Sequence, residues 1–272
     1  MKLPWLRRNF LARRWLDRLF LDAPDYAIRL ATGRSHWPPY SLRSFVGGAQ
    51  RFDEVGRWFL AEFQGLGLFS HGTRVLDIGC GCGRLSYTLA TDEALRELEV
   101  AYTGMDVDQA SIRWCQRHIT PLNPKFDFYH ADCYNPSYNP HGSIAAARYR
   151  FPHQDSSFHV VLLTSVLTHV LEEELRHYLS EVFRLLVPGG IAYASFFLYQ
   201  SASEAATGME RHGIAFPFSK AHLALNREDY PTNAVAYEEA FVRSVVRETG
   251  LRVMEPARYG AQDLLLLERP RR

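Results

Sequence analysis

One stretch constrains this chain more than any other: Arg74-Val75-Leu76-Asp77-Ile78-Gly79-Cys80-Gly81-Cys82-Gly83-Arg84. Val75, Leu76 and Ile78 around an acid read as a short buried strand, since an apolar run of this length suits a strand covered on both faces. Glycine then takes every second position. Lacking a Cβ, it lets the backbone turn sharply and pass close to a bound molecule. Leu85-Ser86-Tyr87-Thr88-Leu89-Ala90 can open a helix whose first N–H groups point back at the loop. Strand, glycine loop and helix start together form a nucleotide-like ligand site at the carboxyl end of a strand.

The spacing decides which ligand. A Gly-x-Gly-x-x-Gly dinucleotide fingerprint needs a third glycine where this chain has Arg84. A phosphate-binding P-loop needs Gly-Lys-Ser/Thr, and no lysine is near. What remains is Asp77-x-Gly79-x-Gly81-x-Gly83, which resembles the first motif of the class I S-adenosylmethionine-dependent methyltransferases. The acid two places before the first glycine discriminates. It would repel a pyrophosphate and attract the ammonium and sulfonium of S-adenosylmethionine. The competing reading is an ordinary strand–turn–helix with incidental glycines.

Two more acids sit at expected strand ends. Val100-Ala101-Tyr102-Thr103-Gly104-Met105-Asp106 reads as a second strand, and a carboxylate at its tip can accept from both hydroxyls of a ribose. Asp108 is placed to cap a helix from Gln109 to His118. A swap of roles between Asp106 and Asp108 stays open. Lys125 to His130 alternates as a third strand and leads to Ala131-Asp132-Cys133. In the family that position contacts adenine, the acid taking the amino group and the next backbone N–H a ring nitrogen. The resemblance therefore implies a cofactor site of Asp77, Gly79, Cys80, Gly81, Gly83, Asp106, Val107, Asp132, Cys133 and Thr164, with S-adenosylmethionine as donor and S-adenosylhomocysteine as product.

The order of elements matches too. Phe158 to Thr164 is a nearly continuous apolar run fit for a central parallel strand. A helix from Leu171 to Val187 carries three glutamates in its first turn, where they suit the helix dipole. Pro188-Gly189-Gly190 stops it, and Ile191 to Phe197 is a fifth strand. A helix from Tyr237 to Thr249 and strands at 251–254 and 263–267 follow. The expected fold is α/β: a three-layer sandwich on a seven-stranded, mostly parallel Rossmann-like sheet whose last strand is antiparallel. The resemblance covers roughly residues 50–268.

Residues 1–49 read as a basic amphipathic helix and lid segment, and 50–272 as the cofactor-binding domain with insertions near 134–152 and 199–231, the latter irregular. Within 1–20, Lys2 and five arginines face one acid, Asp17, and Leu6, Phe10, Leu11, Trp15, Leu19 and Phe20 recur near helical spacing. Three readings compete there: a lid on the catalytic domain, a peripheral anchor on an anionic membrane, and a transit peptide, which should contain serine and here has none. From Ala23 to Tyr40 the chain reads as irregular.

Composition excludes several classes. A net charge of +1 gives no bulk attraction to nucleic acid. The four cysteines show neither a Cys-x-x-Cys pair nor zinc spacing, and free thiols fit a reducing cytosol. No metal constellation stands out, and no apolar run is long enough to span a membrane.

Methyl transfer from a sulfonium is an in-line displacement, so positioning carries much of the catalysis. A base is needed where the acceptor is a hydroxyl. His169, past the fourth strand's tip, is the candidate general base, with packing beside the cofactor as its alternative. Trp37, Tyr40, Arg43, Tyr199 and His212 are weaker acceptor-pocket candidates. The expectation is a methyltransferase acting on a small molecule, sugar or natural-product intermediate, with oxygen ranked ahead of nitrogen, carbon or sulfur. A non-catalytic S-adenosylmethionine-binding scaffold and a nicotinamide oxidoreductase are the alternatives. Oligomeric state is not legible.

Overall fold

Short apolar runs alternating with amphipathic helices produce a layered α/β structure in the computed structural model, which describes residues 10–44, 46, 49–207 and 212–271. The strands are β1 (Arg74–Ile78), β2 (Ala101–Asp106), β3 (Phe126–His130), β4 (Phe158–Leu163), β5 (Leu186–Phe196), β6 (Leu198–Tyr199), β7 (Phe218–Lys220), β8 (Leu223–Leu225), β9 (Val235–Glu238), β10 (Arg252–Arg258) and β11 (Asp263–Glu268). The helices are α1 (Phe10–Phe20), α2 (Asp22–Ala31), α3 (Tyr40–Arg43), α4 (Phe52–Gly65), α5 (Arg84–Thr91), α6 (Glu93–Glu97), α7 (Gln109–His118), α8 (Glu172–Leu185), α9 (Ala202–Thr207) and α10 (Glu239–Glu248).

Seven strands form one sheet in the order β10-β11-β5-β4-β1-β2-β3. β11 runs antiparallel to both β5 and β10, while β4 pairs parallel with β1 and β5, and β2 with β3. This is the expected Rossmann-like methyltransferase sheet with its antiparallel last strand. By internal contacts the chain forms two units: one holds 80–145 and the described residues up to 72, the other 73–79 and 146–271. In the first, Tyr102, Met105, Phe126, Phe128, Ile112 and Cys115 form buried packing between β2, β3 and α7. In the second, Val75, Leu76, Val161, Leu162, Ala194 and Leu265 are fully shielded on β1, β4, β5 and β11.

Four segments differ from the sequence reading. Between Ala23 and Tyr40, where irregular chain was expected, Asp22–Ala31 is a helix. Pro24 lies in its first turn, where a missing N–H costs nothing, and Asp22 and Asp25 suit that end of the dipole. Residues 199–231 are not simply irregular either. β6, β9, β8 and β7 make a second sheet, with β6 parallel to β9 and the other pairs antiparallel. Phe197, Tyr199, Ala205, Phe216, Ala224, Ala234 and Ala236 give it a small core. Strands of two to four residues are too short to reveal a period of two. The third difference follows: Tyr237 belongs to β9, so the helix expected to start there begins at Glu239. The helix expected to reach Val187 ends at Leu185, and Val187-Pro188-Gly189-Gly190 already lies in β5. Among the described residues no helix is long and apolar enough to cross a membrane.

Candidate cofactor and active site

In the first unit the site is a loop clamped to a carboxylate. Gly81 (φ +56°) and Gly83 (φ +81°) both adopt left-handed backbone, and Gly83 is the residue immediately before α5. A Cβ on Gly81 would lie 2.8 Å from Val46 Cγ1, and one on Gly83 would meet Ile119, the Ser86 hydroxyl and the Cys115 thiol. Only glycine satisfies both the torsion and the space. The Cys80 N–H donates to the Met105 carbonyl at 3.0 Å, and the Gly81 N–H to Asp106 Oδ2 at 2.8 Å. The Asp108 N–H donates to the other oxygen, Oδ1, at 2.8 Å. Burial, reinforced by the neighbouring Asp108 charge, raises the Asp106 carboxyl to about 6. Each of its oxygens has engaged one lone pair and keeps another, so the group can still accept from a diol.

Asp108 is differently employed. It caps α7, accepting the Ala110 and Ser111 N–H groups at 3.3 and 3.2 Å and the Ser111 hydroxyl. Arg14 of α1 meets both of its oxygens, with Nη2 2.8 Å from Oδ2. Against the desolvation that burial imposes, Arg14 holds Asp108 below the ordinary carboxylate range. Nothing in the local sequence announced this contact.

Around the third strand tip the geometry is less open. Asp132 is exposed, and its oxygens accept the Ser143 N–H (3.2 Å) and the Ser143 hydroxyl. These bonds hold it below its usual pKa. The Cys133 N–H, expected to meet an adenine nitrogen, donates here to the Ala131 carbonyl at 2.7 Å, and Cys133 itself is buried. The Val107 carbonyl accepts from His130 Nε2 at 3.1 Å.

Of the pocket candidates in this unit, Arg43 is buried and donates to the Pro38 carbonyl at 2.7 Å, to Ala49 and to Asp25. That makes it a structural tie. Trp37 is buried between the Arg34 and Arg43 guanidinium groups, each 4.9 Å from its ring, and its indole N–H has no partner among the described residues. Tyr40 begins α3, half-buried. His36 stacks on Tyr87 at 5.0 Å with Nε2 3.0 Å from Asp53.

In the second unit, Asp77 is buried at the end of β1, Gly79 is exposed, and Thr164 is half-buried just after β4. The next residue, Ser165, holds φ +59°, an uncommon torsion for a side-chain-bearing residue. Its N–H donates to Ser195 Oγ at 2.8 Å and its hydroxyl to Gln262 Oε1 at 2.9 Å. Such an over-determined strained residue at a strand tip is typical of functional sites. Ser165 belongs to the stretch Thr164 to Val170, which resembles the fourth motif of the family, but nothing in the sequence singles it out within that stretch.

His169 lies in a 3-10 turn, Leu167–His169, with Nδ1 3.0 Å from the Thr232 carbonyl. Since a carbonyl only accepts, Nδ1 carries the proton in the neutral ring and Nε2 the lone pair. Burial pushes its pKa below the usual histidine value, so the ring is neutral at neutral pH. Tyr237 braces the turn by donating to the Val170 carbonyl at 2.7 Å. Tyr199 is buried in the core of the second sheet. His212 bonds the Ala261 carbonyl at 3.1 Å through Nδ1 and has Nε2 3.1 Å from Asp263. Both are thus held in the framework.

Comparisons with known proteins fit this geometry. Residues 75–190 match the family model described as a methyltransferase domain. That span runs from β1 through the loop, β2, β3 and β4 into β5. Over that span the chain matches a methyltransferase domain, and its sheet is that of the Rossmann-like methyltransferases. The chain is 34% identical over 120 residues to phthiotriol/phenolphthiotriol dimycocerosates methyltransferase 1 of Mycobacterium ulcerans, a match covering 44% of this chain and 35% of that one. It therefore spans about a third of that relative's length. With the mitochondrial ubiquinone biosynthesis O-methyltransferase of Schizosaccharomyces pombe it shares 25% identity over 189 residues, covering 68% and 58% of the two chains. A solved S-adenosylmethionine-dependent methyltransferase from Methanosarcina mazei superposes with TM-score 0.52 at 22% identity, covering 76% of this chain and 96% of that one. The last likeness bears on the fold. Enzymes of this methyltransferase class use S-adenosylmethionine as cofactor. The residues present fit it: a glycine cradle that a Cβ would fill, and beside it a carboxylate with lone pairs to spare. α1 to α3 and the second sheet lie outside the matched span.

Proposed function

We propose that this methyltransferase domain binds S-adenosylmethionine at the Gly79–Gly83 loop and methylates a hydroxyl on a small organic acceptor. The carrying observation is the Gly81 N–H donating to Asp106, which fixes a carboxylate of raised pKa beside a backbone cradle. Asp106 would grip the ribose diol. Asp108 is not proposed for that role, because its oxygens already serve α7 and Arg14. Asp77, Gly79, Cys80, Val107 and Thr164 are kept as cofactor contacts on their motif positions. Asp132 and Cys133 are retained for the adenine edge, which requires the Ser143 and Ala131 bonds to yield. When bound, S-adenosylmethionine supplies an electrophilic methyl on a sulfonium.

His169 is the proposed general base. Its Nδ1 is held on the Thr232 carbonyl, which makes Nε2 the proposed proton acceptor, and burial outweighs the backbone bonds to Thr232 and Asn233 in holding its pKa down. A base of this kind favours an oxygen acceptor over a thiol or amine. The ubiquinone biosynthesis O-methyltransferase and the phthiotriol methyltransferase agree with an oxygen and a small-molecule acceptor by name. Location in the cytoplasm is inferred from the free cysteines alone.

The test is a panel of hydroxylated small molecules incubated with labelled methyl donor and analysed by mass spectrometry. With an acceptor in hand, His169→Gln should lower turnover about 10²–10⁴-fold while donor affinity holds. Wild-type turnover should fall only once the pH drops below the ordinary histidine range. Equal loss of donor binding and turnover in the variant would assign His169 to packing.

A further inference from the structure

Helices α1 and α2 are amphipathic in the reverse of the usual sense. An ordinary surface helix turns its apolar stripe to the protein and its charges to water. Here the charged side faces in. On α2, Asp22 accepts the Ser41 N–H and hydroxyl at 2.8 and 2.7 Å, and Asp25 pairs with Arg29 at 2.7 Å and with the buried Arg43. Arg29, the one buried residue of the helix, reaches the Trp37 carbonyl. On α1, Arg14 is bonded to Asp108, and Asp17 is buried against Ser44.

The outward side is consequently apolar. Trp15, Leu19 and Phe20 on α1 and Tyr26, Ile28 and Leu30 on α2 are all exposed, with Trp15 at 63% and Ile28 at 62%. Clustered exposed side chains of this size mark an interaction surface. Its charge names the partner. Between residues 10 and 34, each acid is turned inward and bonded, whereas Arg13, Arg18 and Arg34 are exposed. The sequence before α1 adds Lys2, Arg7 and Arg8, with no acid.

We propose that α1 and α2 together lay this face into the headgroup region of an anionic lipid bilayer, with tryptophan, tyrosine and aliphatic side chains inserted and the arginines on lipid phosphates. The bonds from α1 to Asp108 and from α2 to Arg43 would hold the pair on the domain, so docking needs no unfolding. This combines the lid and anchor readings in one pair of helices. It does not depend on which acceptor is methylated.

Co-sedimentation of the full chain with phosphatidylglycerol–phosphatidylcholine vesicles tests it, against pure phosphatidylcholine. Binding is expected to the first and not the second, and to weaken in high salt as exposed charges are screened. Trp15→Glu and Ile28→Glu should each cut partitioning about tenfold or more, since each removes a large inserted apolar group. Arg13→Gln with Arg18→Gln should remove the preference for anionic lipid. Circular dichroism and S-adenosylmethionine titration serve as fold controls. Absence of vesicle binding by the wild type would overturn the proposal, as would Glu variants that bind equally well. A dimer that the Glu variants split, with no vesicle binding, would assign the face to a second copy instead.

Discussion

The loop after β1 and the helices that precede α4 both lean on aspartates of the turn between β2 and α7, but by opposite means. The loop reaches Asp106 through backbone: the Gly81 N–H on one oxygen, the Asp108 N–H on the other. The helices reach Asp108 through a side chain, Arg14, from 94 residues away. The consequences diverge. Asp106, half-buried and desolvated beside another acid and given only amide donors, sits near 6. Asp108, given a guanidinium, sits below the carboxylate range despite its burial. A carboxylate held by neutral amides remains open to a ligand's hydroxyls, whereas one held by a cation is a structural joint. Two residues apart, the same side chain is thus proposed for binding in one case and makes an attachment in the other.

The sharpest way to break this comparison is Gly83→Val. A β-branched residue at φ +81° costs about 1–3 kcal/mol in backbone strain, and crowding against Ile119 and Cys115 adds about 1–3 more. Urea unfolding should show a loss of roughly 2–6 kcal/mol. A near-neutral result would mean the loop does not hold that torsion.

Next in size is Asp106→Asn, which should weaken S-adenosylmethionine by about 1–3 kcal/mol through loss of charge-assisted acceptance. The same group carries a pH signature. Wild-type affinity should fall as pH drops through about 6, where the carboxyl takes up its proton. Folding shows the opposite sign. A folded pKa raised above the unfolded value favours the native state at acid pH, fully so below the unfolded value. That contribution disappears as pH rises through about 6. Calorimetric ligand titrations and urea unfolding at pH 5 and 7.5, on wild type and variant, read the two effects, and a variant with an unchanged pH profile would move the signature elsewhere.

Arg14→Gln should cost less, about 1–2 kcal/mol, because its pair with Asp108 lies between the exposed and buried limits. A double-mutant cycle with Asp108→Asn isolates that coupling. A coupling near zero would remove the joint between α1 and the turn. Smallest is Leu30→Gln, expected to leave stability within about 0.5 kcal/mol of wild type, since its side chain is exposed. A large loss there would show that the outward face of α2 is packed after all.

The same contrast explains what could be read from residues alone. The loop was legible because its requirement is local: an acid, then glycine at the positions where the backbone turns left-handed. Strand tips and the Asp108 cap were legible for the same reason, each written within a few residues. The Arg14–Asp108 joint was not, because no local pattern links positions 94 apart. α2 is not legible in the sequence because its apolar residues face outward and Pro24 resembles a breaker, although a proline is tolerated in a first turn. The second sheet escaped because its strands have too few residues to display alternation, and Tyr237 was absorbed into the helix that follows. Tyr199 and Arg43 illustrate a further limit: polar side chains near a site can equally be framework, and only burial and partners tell them apart.

The central claim is that the Gly79–Gly83 loop and Asp106 form an S-adenosylmethionine site. Isothermal titration of the full chain with S-adenosylmethionine, S-adenosylhomocysteine and NADH, repeated on Asp106→Asn, tests it most directly. The account predicts one-to-one binding of the first two ligands, none of the third, and weaker binding by the variant. Binding of NADH without S-adenosylmethionine, or a variant that binds S-adenosylmethionine as tightly as wild type, would contradict it.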